Sequence, residues 1–166
     1  MNQTLDKARE EVTKLYGYRL RLRVCGIYIE GDRLLMVRHR GIGPTDTFWC
    51  PPGGGSQFNE TAHEALIREF KEETGLDIRV GDLLFVNEFM HPPLHALELF
   101  FSVQATGGQL RQGFDPEMSL DGQIIEEVRL MTIAEIKSYP PEEVHTLFQQ
   151  CRSINDVVEL TGYLNQ

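Results

Sequence analysis

The strongest pattern of apolar and polar positions lies between Thr61 and Gly75, where apolar residues recur every three or four positions. Thr61 and Glu64 form a capping-box pair, which begins a helix. Gly75 stands where a left-handed C-terminal cap is required. The pattern therefore predicts a helix from Ala62 to Thr74.

Outside this helix, Leu20 to Ile29 alternates apolar and polar side chains with the period of two that is typical of strands. Leu20 to Ile29 and Arg33 to Arg40 are joined at Glu30-Gly31-Asp32, whose composition favours a hairpin turn. Three further strands are predicted at Asp77 to Phe89, Ala96 to Ala105 and Ile124 to Met131. Strands placed around one strongly capped helix predict an α/β fold, with a curved mixed sheet between helices.

The ends of the chain carry shorter helical patterns. An N-terminal helix is predicted within residues 1–17, from Thr4 to Leu15, and Gly17 ends it. This helix either covers the sheet or forms the contact of a homodimer, and the sequence does not decide between these roles. Towards the C-terminus, Thr132 to Lys137 and Glu142 to Cys151 are also predicted to be helical.

Two segments are predicted to be loops. Met90 to His95 contains Pro92 and Pro93, and because proline lacks the N–H group that a strand ladder needs, we expect an irregular loop there. Gly107 to Gln123 is rich in Gly, Gln, Asp and Pro, which favours a mobile loop that serves as a lid beside a cleft.

Composition narrows the class of protein. The chain has 166 residues, of which 41% are hydrophobic, so one domain spanning residues 1–166 is expected. Its net charge of −9 argues against a nucleic acid or an anionic membrane as the partner, because both attract basic surfaces. The N-terminus lacks the pattern of a signal peptide, and no apolar run approaches the roughly 18 residues of a membrane span. A cytoplasmic protein with reduced cysteines is therefore expected.

The predicted helix from Ala62 carries three acids on its core-facing side. Glu69, Glu72 and Glu73 fall within the same arc as the small and apolar residues, whereas Arg68 falls outside it. One interpretation is a solvated acidic face with pairs such as Arg68 and Glu72. However, buried carboxylates need a cation, and clustered carboxylates favour a hard ion such as Mg²⁺ or Mn²⁺.

The same stretch resembles the Nudix (MutT-like) box. The resemblance rests on Gly54, on Glu60 six positions later, and on the run REFKEETGL, which extends from Arg68 to Leu76. Phe70 occupies a position that is usually aliphatic, which should affect packing more than chemistry. The box covers residues 53–76, and the chain is identified as a member of the Nudix hydrolase family, with its α/β/α sandwich and loop-helix-loop.

The resemblance implies roles for individual residues. In such proteins a divalent metal ion assists hydrolysis of the pyrophosphate linkage of a nucleoside diphosphate joined to another moiety. Arg68 would hold the glutamates in place, and Glu69 would bind metal or accept a proton from water. The implied metal ligands are the carbonyl of Gly53 and the side chains of Glu60, Glu69, Glu72 and Glu73.

Three further assignments lie outside the box. A late acid would complete the metal site, with Glu127 the first candidate and Asp121 or Glu126 behind it. Arg38 or Arg40 would reach a substrate phosphate, unless this strand end is merely solvated. Pro92 lies at the distance from the box at which family members select substrate. We expect a small nucleotide, with ADP-ribose or another nucleotide sugar ahead of a nucleoside triphosphate.

Two other functions remain open. A Nudix domain can sense a nucleotide without turnover, although such members tend to lose box acids and none is lost here. The fold also hosts isopentenyl-diphosphate isomerase, which uses a metal and a cysteine, but the intact box argues against it.

Overall fold

The computed structural model describes residues 3–164 of the chain. Its helices in this range are α1 Gln3–Tyr16, α2 Ala62–Thr74, α3 Ile133–Ile136 and α4 Ile154–Glu159. Its strands are β1 Leu20–Glu30, β2 Arg33–Arg40, β3 Thr47–Cys50, β4 Gly53–Gly55, β5 Leu76–His91, β6 Leu94–Gly108, β7 Ile125–Met131 and β8 Gly162–Leu164. Short 3₁₀ turns occur at Leu120–Gly122, Pro141–Glu143 and Thr146–Gln149. No helix within residues 3–164 is long and apolar enough to span a membrane.

The strands form one mixed sheet in the order β3-β2-β1-β6-β5-β8, with β4 also paired to β1 and β7 to β2. β1 runs parallel to β6, and β5 runs parallel to β8, whereas the other pairs are antiparallel. β4 pairs with β1 from Arg23 to Cys25, which brings the glycine-rich segment Gly53–Gly55 onto the strand that carries Arg21 and Arg23. The predicted mixed sheet is confirmed.

Helix α2 has the predicted bounds, because the residues that form each of its caps are close to each other in sequence. Thr61 and Glu64 exchange the two hydrogen bonds of a capping box, and Gly75 ends the helix with a φ of 74°. Leu66 and Phe70 are fully buried and pack on the sheet in a cluster that includes Val24, Leu35 and Phe101. This packing fixes the orientation of the acidic residues one turn further along.

The opposite face of the sheet is covered by the C-terminal elements. Cys25, Met36 and Phe100, which neighbour Val24, Leu35 and Phe101 in sequence, belong to a second cluster with Ile136 and Phe148. Alternate residues of β1, β2 and β6 therefore face α2 on one side and the C-terminal segment on the other. This arrangement is the predicted sandwich.

Helix α1 packs on the sheet. Ala8, Val12 and Tyr16 are buried in a third cluster with Val37 of β2 and Ile125 of β7. Of the two roles open for this helix, covering the sheet is the one observed within a single chain. The homodimer stays a prediction.

The prediction of an irregular loop at Met90 to His95 was wrong. Met90 pairs with His95, and His91 pairs with Leu94, so β5 and β6 form one long hairpin. Only the two prolines lie outside the strands, at the tip, where no ladder N–H group is needed.

The prediction of one helix from Glu142 to Cys151 was also wrong. Two 3₁₀ turns occur instead, separated by an extended Val144 that bridges to Trp49. The N–H group of His145 donates to the carbonyl of Trp49 at 2.8 Å, a bond across to β3 that a continuous helix would prevent.

The polar segment Gly107 to Gln123 begins within β6 and then leaves the sheet. The N–H groups of Arg111, Gly113 and Phe114 donate to the carbonyls of Thr74, Glu73 and Glu72 at the end of α2, and Met118 is buried. The segment thus lies against the acidic end of α2. Its mobility stays a prediction.

Candidate functional site

A cavity of about 250 Å³ opens between β1, the acidic end of α2 and the segment that follows β6. The carboxylates of α2 line it beside the glycine-rich strand β4, and we call this part the acidic half. Apolar side chains line it as well, among them Ile42, Phe48, Phe89 and Leu94, and we call them together the apolar half. The lining therefore combines acidic and apolar groups.

Arg68 organises the carboxylates of the acidic half. Its Nε donates to Glu60 Oε1 at 2.8 Å, and its Nη1 donates to Glu69 Oε1 at 2.8 Å and to Glu72 Oε2 at 3.2 Å. Its Nη2 donates to the carbonyl of Gly55 at 3.1 Å. The hydrogen bonds from Arg68 lower the pKa of Glu60. Although helical periodicity assigns Arg68 to another face, its long side chain reaches the acids.

Glu73 is buried and is held by the backbone of β4. The N–H group of Gly53 donates to Glu73 Oε2 at 2.9 Å, and His39 Nε2 lies 3.6 Å from Glu73 Oε1. His39 Nδ1 in turn lies 3.6 Å from the sulfur of Cys50. These contacts join the second and third strands to the metal-binding candidate on α2.

Glu69 lies between α2 and the glycine-rich strand. Burial raises the pKa of its carboxyl to about 8, and the neighbouring charge of Glu73 acts in the same direction, whereas Arg68 opposes both. Burial likewise raises the pKa of Glu72. The positive charge of Arg68 is therefore smaller than the negative charge that the carboxylates of the acidic half would carry if all were ionised.

This donor set fits a hard divalent cation. Four carboxylates and the carbonyl of Gly53 are oxygen donors of the kind that such ions bind, and the burial of Glu69 beside Glu73 concentrates negative charge that a cation would neutralise. Within residues 3–164 no three acidic, histidine or cysteine side chains are already arranged as a metal-binding cluster. The guanidinium of Arg68 lies between the carboxylates and satisfies them instead.

The residues assigned from the box converge as a group. Gly53, Arg68, Glu69, Glu72 and Glu73 all line the cavity. Glu60 is joined to them through Arg68.

The assignments outside the box do not reach the cavity. Arg38 pairs with Glu126 at 2.9 Å and with Glu127 at 3.5 Å, and Arg40 donates to the carbonyl of Gln123. The buried His39 faces the cavity, so the strand alternation turns its two arginine neighbours away. Asp121 pairs with Lys7, and Pro92 lies at the hairpin tip.

Other charged residues that sequence reasoning missed line the cavity in their place. Asp115 and Glu117 come from the segment after β6, and Tyr16 of α1 contacts both, with its hydroxyl 3.1 Å from Asp115 Oδ2 and 3.0 Å from Glu117 Oε2. Arg21 and Arg23 come from β1. The sequence did contain a pattern that could have identified these arginines. Basic residues occur at every second position, 19, 21 and 23, just before the buried part of this strand, so Arg21 and Arg23 share one face of it.

A buried polar network supports the floor of the cavity. Glu98 Oε2 accepts hydrogen bonds from Asn87 at 3.0 Å and lies 2.7 Å from His145 Nε2. Because His145 Nδ1 accepts from the N–H group of Leu147, its Nε2 carries the proton that is donated to Glu98. Burial opposes the charged form of Glu98, but His145, Arg23 and Asn87 outweigh it and hold the pKa of Glu98 below its usual value.

Residues 18–149 match the family model described as the NUDIX domain. The chain belongs to the NUDIX family. The resemblance drawn from the box is therefore confirmed, and the matched range contains β1 to β7 and α2 but not α1.

Curated relatives of this NUDIX protein carry names of nucleotide pyrophosphatases. An ADP-ribose pyrophosphatase of Methanocaldococcus jannaschii is 35% identical over 107 residues, which are 61% of this chain and 63% of the relative. An 8-oxo-dGTP diphosphatase of Proteus vulgaris is 37% identical over 65 residues, which are 39% of this chain and 58% of the relative. Each match spans less than two thirds of the relative's length.

Solved structures share the fold. A NUDIX hydrolase from Nitrosomonas europaea superposes with a TM-score of 0.67 at 22% identity, covering 83% of this chain and 88% of that one. A UDP-X diphosphatase superposes with a TM-score of 0.61 at 19% identity, covering 96% of this chain and 74% of that one. The predicted Nudix-type sandwich is confirmed at the level of fold.

Proposed function

We propose that this NUDIX protein hydrolyses the pyrophosphate linkage of a nucleoside diphosphate joined to another moiety, with Mg²⁺ or Mn²⁺ held by the acidic face of α2. The observation that carries the proposal is the convergence of Glu69, Glu72 and Glu73 beside the glycine-rich strand, in a cavity that apolar side chains also line. A charged diphosphate and a flat base need these two environments side by side.

In the acidic half, Glu72, Glu73 and the carbonyl of Gly53 would hold the metal ion, with Glu60 as a further ligand. When bound, the ion neutralises pyrophosphate charge and favours ionisation of water. Glu69 either joins the ligands or takes the proton of the attacking water. Arg68 keeps Glu60, Glu69 and Glu72 together through charge-assisted hydrogen bonds and so maintains their spacing.

In the apolar half, Phe48 and Phe89 would contact the nucleobase. The centroids of their rings lie 5.6 Å apart, in an edge-to-face arrangement, and both side chains line the cavity. The names of the relatives, ADP-ribose pyrophosphatase and 8-oxo-dGTP diphosphatase, support a nucleotide substrate. We propose ADP-ribose or another nucleotide sugar ahead of a nucleoside triphosphate.

For the late acid, Asp115 or Glu117 takes the role that the sequence assigned to Glu127. Both line the cavity, whereas Glu127 pairs with Arg38 away from it. Burial raises the pKa of Asp115, and the charges of Glu117 and Glu73 act in the same direction, whereas the hydrogen bonds from the Glu117 N–H group and the Tyr16 hydroxyl oppose it.

The test is a hydrolysis assay of the purified chain with Mg²⁺ and a panel of ADP-ribose, UDP-sugars and nucleoside triphosphates, following release of AMP, phosphate and pyrophosphate. Turnover of at least one nucleotide, lost on addition of EDTA, is expected. Binding of these nucleotides without turnover would instead identify a sensor.

A further inference from the structure

The arginines that line the cavity differ in their partners. Arg68 is occupied by Glu60, Glu69 and Glu72. Arg23 donates from Nη2 to the carbonyl of Gly53 at 3.1 Å and lies 3.5 Å from Glu98. For the guanidinium of Arg21, by contrast, no hydrogen bond or ion pair is found among residues 3–164, although it lines the same cavity.

Arg21 is nevertheless held in place. Its guanidinium carbon lies 3.9 Å from the centre of the Tyr16 ring, a stacking distance at which the ring face attracts a cation. It also lies over Gly55, where a Cβ atom would be only 2.6 Å from Nη2. The side chain is half-buried. A guanidinium that is fixed on one face and lacks an acceptor keeps its N–H donors for another group.

We propose that Arg21 binds a phosphate group of the substrate and that Tyr16 positions it to do so. The inference rests on the proposed function and specifies which residue provides the phosphate contact. The planar fork of a guanidinium matches two phosphate oxygens, and partial burial strengthens such bonds. Burial and the charge of Arg23 lower the pKa of Arg21, to about 10, so it is still protonated at neutral pH.

Tyr16 links this contact to α1, which lies outside the residues that match the family model. Its ring supports Arg21, and its hydroxyl oxygen lies 3.1 Å from Asp115 Oδ2 and 3.0 Å from Glu117 Oε2, so it can donate its single proton to either carboxylate. One side chain from α1 therefore sets the distance between a cation and two acids. The position at which the cavity accepts a phosphate thus depends on a helix that precedes the matched range.

The first experiment compares Arg21→Gln with Arg19→Gln in the full chain. Arg19 is exposed, lies two residues from Arg21 and does not line the cavity. Its replacement therefore removes one positive charge without changing the cavity and serves as the matched control. Equilibrium binding of ADP and of adenosine is measured with Mg²⁺ present. Arg21→Gln should weaken ADP binding by roughly ten- to a hundredfold, the range of a lost hydrogen bond to a charged group, with adenosine binding unchanged. Arg19→Gln should change neither.

The second experiment separates the ring of Tyr16 from its hydroxyl. Tyr16→Leu removes the support of Arg21, whereas Tyr16→Phe keeps it. We expect Tyr16→Leu to raise the KM for ADP-ribose more than Tyr16→Phe does, and combining Tyr16→Leu with Arg21→Gln to add little beyond Arg21→Gln alone. Melting temperatures of all variants report whether the fold is kept.

The outcomes distinguish this inference from the proposed function. If the wild type hydrolyses a nucleotide but Arg21→Gln binds ADP as tightly as the wild type, Arg21 is only a packing group and the inference is overturned. If no nucleotide is hydrolysed but ADP binding still depends on Arg21, the inference stands and the hydrolytic function fails. A wild type that binds ADP no better than adenosine overturns the phosphate contact as well.

Discussion

The carboxyl group of Glu69 lies directly against the backbone of Gly54, where a Cβ atom would be 2.3 Å from its carboxyl carbon. Gly54, the first position on which the resemblance to the box rests, therefore leaves room for one of the acids of the box. We expect Gly54→Ala to displace this carboxylate and to lower kcat by about a hundredfold, because small misplacements of catalytic groups have effects of that size. The side chain can move, so the melting temperature should change little.

Gly107→Ala is the matched control for this prediction. A Cβ atom there would lie 3.4 Å from Asp77 Oδ2, an ordinary contact, and neither residue lines the cavity. Its kcat for ADP-ribose should equal that of the wild type. Equal activity of Gly54→Ala and Gly107→Ala would contradict the role given to the close approach of Glu69.

Glu72→Gln and Glu73→Gln should each weaken Mg²⁺ binding and slow turnover by roughly three orders of magnitude, about 4 kcal/mol in the barrier. Glutamine keeps the shape of the side chain and removes the charge that holds the metal. Without metal, stability should stay level or rise, because the carboxylates no longer repel each other. Melting temperatures with and without Mg²⁺, measured beside turnover, test both statements.

Glu10→Gln, on the exposed face of α1, controls for the loss of a negative charge. It should keep both turnover and the stabilisation by Mg²⁺. If the variants of α2 lost stability without metal and kept their activity, these acids would only support the helix.

The stability of the metal-free protein should depend on pH through Glu69. Its pKa is about 8 in the folded protein, against an ordinary value of 4.5, so between these values the folded state binds more protons than the unfolded chain. The free energy of unfolding therefore falls as pH rises through this window. Urea unfolding in EDTA at several pH values should show a shallower fall for Glu69→Gln than for the wild type.

Saturating Mg²⁺ supplies the control, because a cation favours the charged carboxylate and should flatten the pH profile of the wild type. Parallel profiles for wild type and Glu69→Gln without metal would show that this carboxyl titrates normally.

Leu66→Ala should lower the free energy of unfolding by roughly 2 to 5 kcal/mol, since Leu66 is fully buried between α2 and the sheet. Ile67, the next residue, is 44% exposed, so Ile67→Ala should cost less than about 1 kcal/mol. Chemical denaturation of both variants measures the difference. Similar losses would mean that α2 packs differently.

Local chemistry explains which parts of the fold could be predicted. The caps of α2 involve residues three positions apart, and the strands β1 and β2 follow the period of two, so both could be recognised without tertiary information. The turns near Val144 could not, because the bond between His145 and Trp49 depends on residues far apart in sequence.

Some residues of the candidate site could likewise be predicted from the sequence, and others could not. Glu69, Glu72 and Glu73 share one helical face, so their convergence follows from the helix. Asp115 reaches the cavity only because its segment contacts both α1 and α2. The prediction that Arg38 reaches a substrate phosphate depended on which face of β2 this residue occupies. His39 faces the cavity, so its neighbour Arg38 lies on the opposite face, where it pairs with Glu126.

The hydrogen bonds that join Arg111, Gly113 and Phe114 to the last turn of α2 also restrict how the segment after β6 can move. Helix ends leave carbonyl groups unsatisfied, and here the segment supplies their donors. Pulling residues 111–114 away would cost three bonds at the turn that carries Glu72 and Glu73. The carbonyl groups of Glu72, Glu73 and Thr74 thus owe their hydrogen-bond donors to a segment about 40 residues further along the chain, so a deletion of residues 111–114 would leave the acidic turn without its C-terminal partners.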